Sequence, residues 1–79
     1  MRLDKYLKVS RLIKRRTVAN EACDAGRVMV NGKVAKSSYD VKVGDVIEIS
    51  FGTTPVKAEV LKIVDTSKKE EVSTMFKYL

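Results

Sequence analysis

Histidine is absent from this 79-residue chain, and cysteine occurs once. The chain therefore lacks the commonest general base and the commonest metal ligand of proteins. Cys23 has no second cysteine for an internal disulfide and no histidine to activate it, so we expect a small, buried apolar side chain. The glycines Gly26, Gly32, Gly44 and Gly52 are isolated and cannot form a phosphate-binding loop. We expect a protein that is not an enzyme and holds no metal or cofactor.

Long apolar runs are also missing from the sequence. No run approaches the roughly 20 residues that span a membrane, and the N-terminus has no signal-peptide core. The basic segment lacks the broad apolar face with tryptophan or phenylalanine that peripheral membrane binding needs. Because the single cysteine also excludes an internal disulfide, we expect a cytoplasmic protein with no membrane partner.

Length and composition predict one small domain. A chain of this size buries about 60% of the surface that its unfolded form exposes, which leaves little room for a large enclosed cavity. The hydrophobic fraction of 44% is sufficient for a modest core and too high for a disordered tail. We expect a single monomeric domain over residues 1–79, with a core motif over about 1–51 and a C-terminal strand and helix over 56–79.

The net charge of +6 is concentrated in the first third of the sequence. Residues 1–27 hold eight basic side chains against Asp4, Glu21 and Asp24, which we expect to form salt bridges. All five arginines lie there, and a planar guanidinium fits phosphate better than a compact lysine ammonium does. This asymmetry is typical of a surface that binds a polyanion, and an ordinary solvated face is the alternative.

Two short helices with a basic elbow between them are predicted in this segment. In the first, the apolar residues Leu3, Tyr6 and Leu7 recur at helical spacing, which directs Lys5 and Lys8 away from the buried face. The elbow contains the run Lys14-Arg15-Arg16. Three signals predict the second helix. Thr17 can cap its start, an apolar stripe follows at Val18, Ala22 and Ala25, and Gly26 lies where the helix would end.

The remainder of the chain predicts a small antiparallel sheet and a C-terminal helix. Val28-Met29-Val30 is followed by the hairpin pair Asn31-Gly32 and a return strand from Lys33-Val34, and a second turn is predicted at Val43-Gly44-Asp45. Alternating apolar residues predict two further strands, one with Ile47, Ile49 and Phe51 and one with Val56, Ala58 and Val60. Residues 52–55 break the pattern between them, and a bulge is predicted near Leu61. The last helix is predicted from a capping box at 67–70 and a stripe at Val72, Met75, Phe76 and Leu79, which we expect to pack on the sheet. The expected fold is α+β.

The few aromatic residues of the sequence bear on the type of nucleic acid that the basic segment would bind. Binding by base stacking needs aromatic pairs on the sheet, and only Phe51 lies clearly in a predicted strand. We therefore expect phosphate and 2′-hydroxyl contacts to folded RNA. A DNA-binding helix-turn-helix is a competing interpretation, but its second helix would offer only Asn20 for reading a base edge.

Four segments resemble the alpha-L RNA-binding motif, the domain named after small-subunit ribosomal protein S-four. They are RLDKYL at 2–7, KRRTVA at 14–19, AGRVMVNGK at 25–33 and VKVGDVI at 41–47. Within that superfamily, RLDKYLKVSRLIKRRT at 2–17 and DTSKKEE at 65–71 are similar to the ribosome-quality-control protein P family. The ribosome-associated heat-shock proteins resemble the chain less closely.

The resemblance implies a factor that binds large ribosomal subunits obstructed by peptidyl-tRNA. It would hold an rRNA helix and the tRNA while a partner quality-control factor adds C-terminal alanine tails to the stalled chain. By motif position, Arg2 and Arg16 are implied as rRNA contacts. The full set of expected RNA-binding residues is Arg2, Lys5, Lys8, Arg11, Lys14, Arg15, Arg16 and Arg27.

Two other functions stay open from the sequence. A recycling factor of the heat-shock type has the same motif. A protein-interaction module would use the C-terminal helix or a sheet edge, and its binding would resist salt and ribonuclease but be lost on Phe76→Asp.

Overall fold

The computed structural model describes residues 1–64 and 74–79. In chain order its elements are α1 Leu3–Val9, α2 Arg16–Asp24, β1 Val28–Val30, β2 Lys33–Val34, β3 Val46–Phe51, β4 Thr54–Val60 and β5 Phe76–Tyr78. The five strands form one antiparallel sheet in the order β2-β1-β3-β4-β5. The two helices and this sheet confirm the α+β class. Among the described residues, no helix has the length and apolar character to cross a bilayer.

Helix α1 buries the face that its periodicity predicts. Leu3, Tyr6 and Leu7 are fully buried, and they belong to the same core cluster as Val28 of β1 and Ile47 of β3. The core therefore lies between the helices and one face of the sheet. A helix of seven residues is too short to be stable alone, so this burial holds α1 in place.

Helix α2 buries a different face from the predicted one. The helix begins at Arg16, with Arg15 as its N-cap, so Thr17 lies inside the first turn and the prediction that Thr17 caps the helix is wrong. Val18 is 39% exposed and Ala25 is exposed, whereas Ala19, Ala22 and Cys23 are buried. These small side chains at i, i+3 and i+4 also form one helical face. The burial of Cys23 is confirmed.

The predicted end of α2 is confirmed. Gly26 has a φ of +73°, its N–H donates to the Cys23 carbonyl at 3.0 Å, and the Arg27 N–H donates to the Ala22 carbonyl at 2.9 Å. These two bonds form a Schellman motif, which satisfies carbonyls that the helix leaves unpaired. Arg27 is thereby fixed directly after the helix.

The predicted hairpin and turns are present in the sheet. Asn31 and Gly32 both have positive φ, +53° and +82°, as a two-residue turn of type I′ requires, and they join β1 to β2. Gly44 lies in the second turn with a φ of +94°. The predicted break is shorter than expected, because β4 begins at Thr54 and includes Pro55.

The end of β4 has the hydrogen bonds of a bulge. The N–H groups of Leu61 and Lys62 both donate to the Met75 carbonyl, at 2.8 and 3.1 Å. Two residues on one side therefore lie opposite one residue on the other, as in a β-bulge. This agrees with the predicted change of phase in that segment.

The C-terminal helix prediction is wrong for the last residues of the chain. Phe76–Tyr78 form β5, which pairs with β4 through Val60↔Phe76 and Ala58↔Tyr78. The edge of β4 needs partners for its backbone groups, and β5 provides them. Met75 is buried as predicted, but Leu79 is exposed. The predicted capping box at 67–70 and Val72 lie outside the described residues.

Candidate nucleic-acid interface

One buried carboxylate, that of Asp4, joins the two helices. Asp4 lies in the first turn of α1, and its side chain is 3% exposed. The Lys5 backbone N–H donates to Oδ1 at 2.8 Å. The Arg2 guanidinium donates through Nε to Oδ1 at 3.2 Å and through Nη2 to Oδ2 at 3.4 Å. Arg2 and Asp4 therefore form a bidentate ion pair.

A second arginine reaches the same carboxylate from α2. Arg16 donates through Nη2 to Oδ1 of Asp4 at 3.5 Å, and its Nε lies 3.4 Å from Oδ2. Asn20, one turn further along α2, donates through Nδ2 to Oδ2 at 3.4 Å. We call Arg2, Asp4, Arg16 and Asn20 the Asp4 cluster.

The backbone positions both arginines. Arg2 is the N-cap of α1 and forms a β-bridge with Asp40. The N–H of Leu3 donates to the Tyr39 carbonyl at 2.8 Å, which holds the start of α1 against the loop before β3. Arg16 is the first residue of α2, and α1 packs on α2. The first residues of the two helices therefore lie within side-chain reach of the same carboxylate.

The surroundings of Asp4 favour the ionised form of its carboxyl group over the protonated form. Burial alone raises the pKa of Asp4, but the hydrogen bonds from Arg2, Arg16, Asn20 and the Lys5 amide outweigh burial and lower this pKa below its ordinary value. The side chains of Arg2 and Arg16 remain 51% and 48% exposed. Both guanidinium groups are thus fixed on the protein side and open to solvent on the other.

The start of α2 adds a positive region beside Arg16. Within the described helix α2, the N-cap Arg15 makes no side-chain capping bond, and the first turn holds no acidic side chain. The N–H groups at a helix start are short of intrahelical partners and carry the positive end of the helix dipole. Such a helix start favours an anion such as phosphate.

The other six predicted residues are distributed over the two helices and the segments next to them. Lys5 takes part in the Asp4 cluster through its backbone N–H. Five of them are exposed: Lys8, Arg11, Lys14, Arg15 and Arg27. Lys5 is half-buried. Arg27 lies at the other end of α2, where it lines a shallow depression with Val18 and Glu21.

The elbow between the helices has an unusual backbone at Arg11. Its φ of +64° is left-handed, a conformation that favours glycine, and it directly follows the C-cap Ser10. The N–H of Arg11 donates to the Lys8 carbonyl at 3.0 Å, and the Ser10 hydroxyl accepts from the Leu12 N–H at 3.5 Å. These bonds turn the chain sharply between the two helices.

The sequence indicated the salt-bridge role of Asp4 but missed its position between two arginines. That position depends on Arg16, which is twelve residues away, so no local pattern contains it. The expectation for Glu21 and Asp24, both exposed, stays a prediction. Asn20 directs its amide at Asp4, which weakens the helix-turn-helix interpretation that depended on Asn20.

Cys23 is buried in the core beside α1. Burial raises the pKa of its thiol to about 11, and the negative charges of Asp4 and Asp24 add to the shift. The thiolate, which is the nucleophile, is therefore disfavoured at neutral pH. Within residues 1–64 and 74–79, no group of metal-ligating side chains is arranged to hold an ion.

Comparison with known proteins identifies close relatives. The family model of the S4 domain matches residues 1–47. The chain is 56% identical over 79 residues to the RQC P-site tRNA stabilizing factor of Streptococcus pneumoniae, covering 100% of this chain and 90% of that protein. It is 54% identical over 79 residues to the protein of the same name from Bacillus subtilis, covering 100% and 92%. The structure is similar to the trimeric Heat Shock Protein 15 of Vibrio cholerae, with a TM-score of 0.91, 30% identity and coverage of 100% of this chain and 81% of that one.

Proposed function

Because the chain belongs to the S4-domain family of RQC P-site tRNA stabilizing factors, we propose that it binds RNA in ribosome quality control and stabilises tRNA in the P site. Its rRNA target is a helix of the large ribosomal subunit. It acts in the cytoplasm as a non-catalytic monomer, beside a factor that adds alanine tails to the stalled chain.

The observation that carries this proposal is the pair of half-exposed arginines held by one buried carboxylate. Arg2 and Arg16 present permanently charged forks of a shape that matches phosphate. The open start of α2 adds backbone N–H donors beside them. An A-form RNA helix displays phosphates at fixed spacing, so a rigid cluster selects it by shape.

The wider contact surface consists of the remaining basic residues of the helical part, Lys5, Lys8, Arg11, Lys14, Arg15 and Arg27. Their contribution is electrostatic attraction, which requires exposure and positive charge more than exact geometry. If about six phosphates are neutralised, the logarithm of the binding constant falls with the logarithm of salt concentration at a slope near −5, by the rule of roughly −0.9 per phosphate on a duplex.

Co-sedimentation with large ribosomal subunits tests the site. Arg2→Ala and Arg16→Ala should each weaken binding and reduce the salt slope by about 0.9, while the protein stays folded. Lys57→Ala is the matched control, because it removes one exposed positive charge from β4. Normal co-sedimentation of both arginine variants would refute the site.

Crosslinking followed by sequencing of the bound RNA tests the target. Reads from large-subunit rRNA and tRNA support the proposal, whereas reads from rRNA without tRNA favour a recycling role. Recovery of crosslinked DNA in place of RNA would contradict RNA as the ligand.

The exposed end of β5 favours a second candidate, a protein-interaction module. Tyr78 is 68% exposed at the edge of the sheet, next to exposed Leu79. Binding of this kind would survive ribonuclease and high salt and would be lost on Phe76→Asp. Since Phe76 is half-buried, Tyr78→Ala is the second variant, because it removes the more exposed of the two rings.

A further inference from the structure

We propose that Asp4 is a positioning residue for RNA binding, because it fixes the guanidinium groups of Arg2 and Arg16. Although Asp4 is negatively charged, it thereby strengthens the binding of a polyanion. This inference rests on the proposed function of the same surface. It adds a role for a residue that itself does not contact RNA, because its side chain is buried beneath the arginines.

The geometry shows which edge of each arginine Asp4 uses. In both Arg2 and Arg16, the edge formed by Nε and Nη2 faces the carboxylate. A guanidinium carries five N–H donors, and this edge supplies two of them. The three others of each arginine, including both on Nη1, point away from Asp4. The contact with Asp4 thus leaves six N–H donors of the two half-exposed arginines unused.

Asp4 is itself held in place. Its Oδ1 accepts the Lys5 N–H at 2.8 Å, and its Oδ2 accepts from Asn20 at 3.4 Å. The backbone N–H of Asp4 donates to the Ser37 carbonyl at 3.2 Å. A carboxylate fixed by α1, α2 and the loop before β3 cannot follow the arginines if they move, so it sets their position.

Preorganisation is the physical gain. A free arginine loses rotamer freedom when it binds phosphate, and two adjacent guanidinium groups repel each other. Asp4 orders both side chains before RNA arrives and offsets their repulsion. Net charge alone predicts the opposite effect on affinity. Removing a carboxylate raises the net charge from +6, which should strengthen binding to RNA.

The experiment compares Asp4→Asn with Asp24→Asn, which makes the same charge change at an exposed position of α2. Affinity for large ribosomal subunits is measured at constant salt, with circular dichroism to establish folding. Asp4→Asn should bind roughly tenfold more weakly than the parent, the loss expected when two side chains must be ordered on binding. Asp24→Asn should bind as tightly as the parent or more tightly. Equal or tighter binding by Asp4→Asn would overturn the inference.

A double-mutant cycle separates positioning from a general structural role. In a protein that already carries Arg2→Ala and Arg16→Ala, Asp4→Asn should cause no further loss of affinity. A further tenfold loss in that background would show that Asp4 acts through the fold as a whole. If the double arginine variant binds like the parent, the proposed RNA site fails, which is a different result from failure of the Asp4 role.

A measurement on the unmodified protein tests the same contact if Asp4→Asn does not fold. In nuclear magnetic resonance spectra, the Nε–H proton of Arg2, which donates to Asp4, should exchange with solvent more slowly than that of exposed Arg15. Equal exchange for the two would overturn the positioning role.

Discussion

Replacing Tyr6 by phenylalanine removes one buried hydroxyl and leaves the ring in the core. Tyr6 is fully buried, and its hydroxyl donates to the Met75 carbonyl at 2.8 Å. That carbonyl also accepts the N–H groups of Leu61 and Lys62, so the substitution leaves no unpaired acceptor. At neutral pH we expect a loss of about 1 kcal/mol in the free energy of unfolding, the typical net value of one hydrogen bond.

The same substitution should stabilise the protein in strong alkali. Burial raises the pKa of Tyr6 from 10.0 to about 12. The unfolded chain therefore ionises this phenol before the folded protein does, and the parent loses stability as the pH rises from 10 through 12. Two pKa units correspond to about 3 kcal/mol in total. Since phenylalanine cannot ionise, the two stability curves should cross near pH 11.

Urea unfolding followed by circular dichroism, between about pH 8 and pH 12, measures both effects. The lysines are common to parent and variant, so their titration cancels in the difference. Tyr78→Phe is the control, because it removes a tyrosine whose ring is exposed. A stability difference between parent and Tyr6→Phe that stays constant across this pH range would refute the reasoning.

Two further predictions concern the core and the hairpin. Cys23 is 4% exposed and its pKa is raised to about 11, so it should react with a thiol reagent far more slowly in the native protein than in urea; equal rates would show that it is accessible. Gly32→Ala introduces a side chain at a φ of +82° and should lower the free energy of unfolding by about 1 kcal/mol with RNA affinity unchanged. Loss of affinity in a folded Gly32→Ala protein would extend the interface to the hairpin.

The sequence correctly predicted those elements for which the local pattern of residues is compatible with one structure only. Leu3, Tyr6 and Leu7 define a single apolar face, and Asn31-Gly32 combines two residues that tolerate positive φ. Helix α2 was harder because apolar or small residues lie on several of its faces. The stripe from Val18 to Ala25 and the face at Ala19, Ala22 and Cys23 are both helical, and only packing against α1 decides between them.

The C-terminal residues show a conflict between local pattern and tertiary structure. Val72, Met75, Phe76 and Leu79 have helical spacing, but Phe76 and Tyr78 also alternate as a strand requires. The open edge of β4 favours the strand, because it leaves backbone groups to pair. The edge-to-face contact of the Phe76 and Tyr78 rings, with centroids 5.1 Å apart, then forms on one face of β5.

The sequence predicted that positive charge is concentrated at the candidate site, but it did not predict how the charged side chains are arranged. Composition identified the arginine-rich segment, and the family resemblance singled out Arg2 and Arg16. The carboxylate between them has one partner two residues away and another twelve residues away. The second partner becomes a neighbour only when α1 and α2 pack together, so sequence spacing alone could not show it.

The position of α1 depends on residues far along the chain. Its start is bonded to Tyr39, its middle is bonded through Tyr6 to Met75, and it has only seven residues of its own. A helix this short takes its stability from tertiary contacts. The S4 model ends at residue 47, whereas Met75 follows it by 28 positions and still contacts the centre of α1. The segment after the S4 match therefore helps to hold the helix that carries Asp4, and this contact links the proposed RNA-binding surface to the C-terminal residues of the chain.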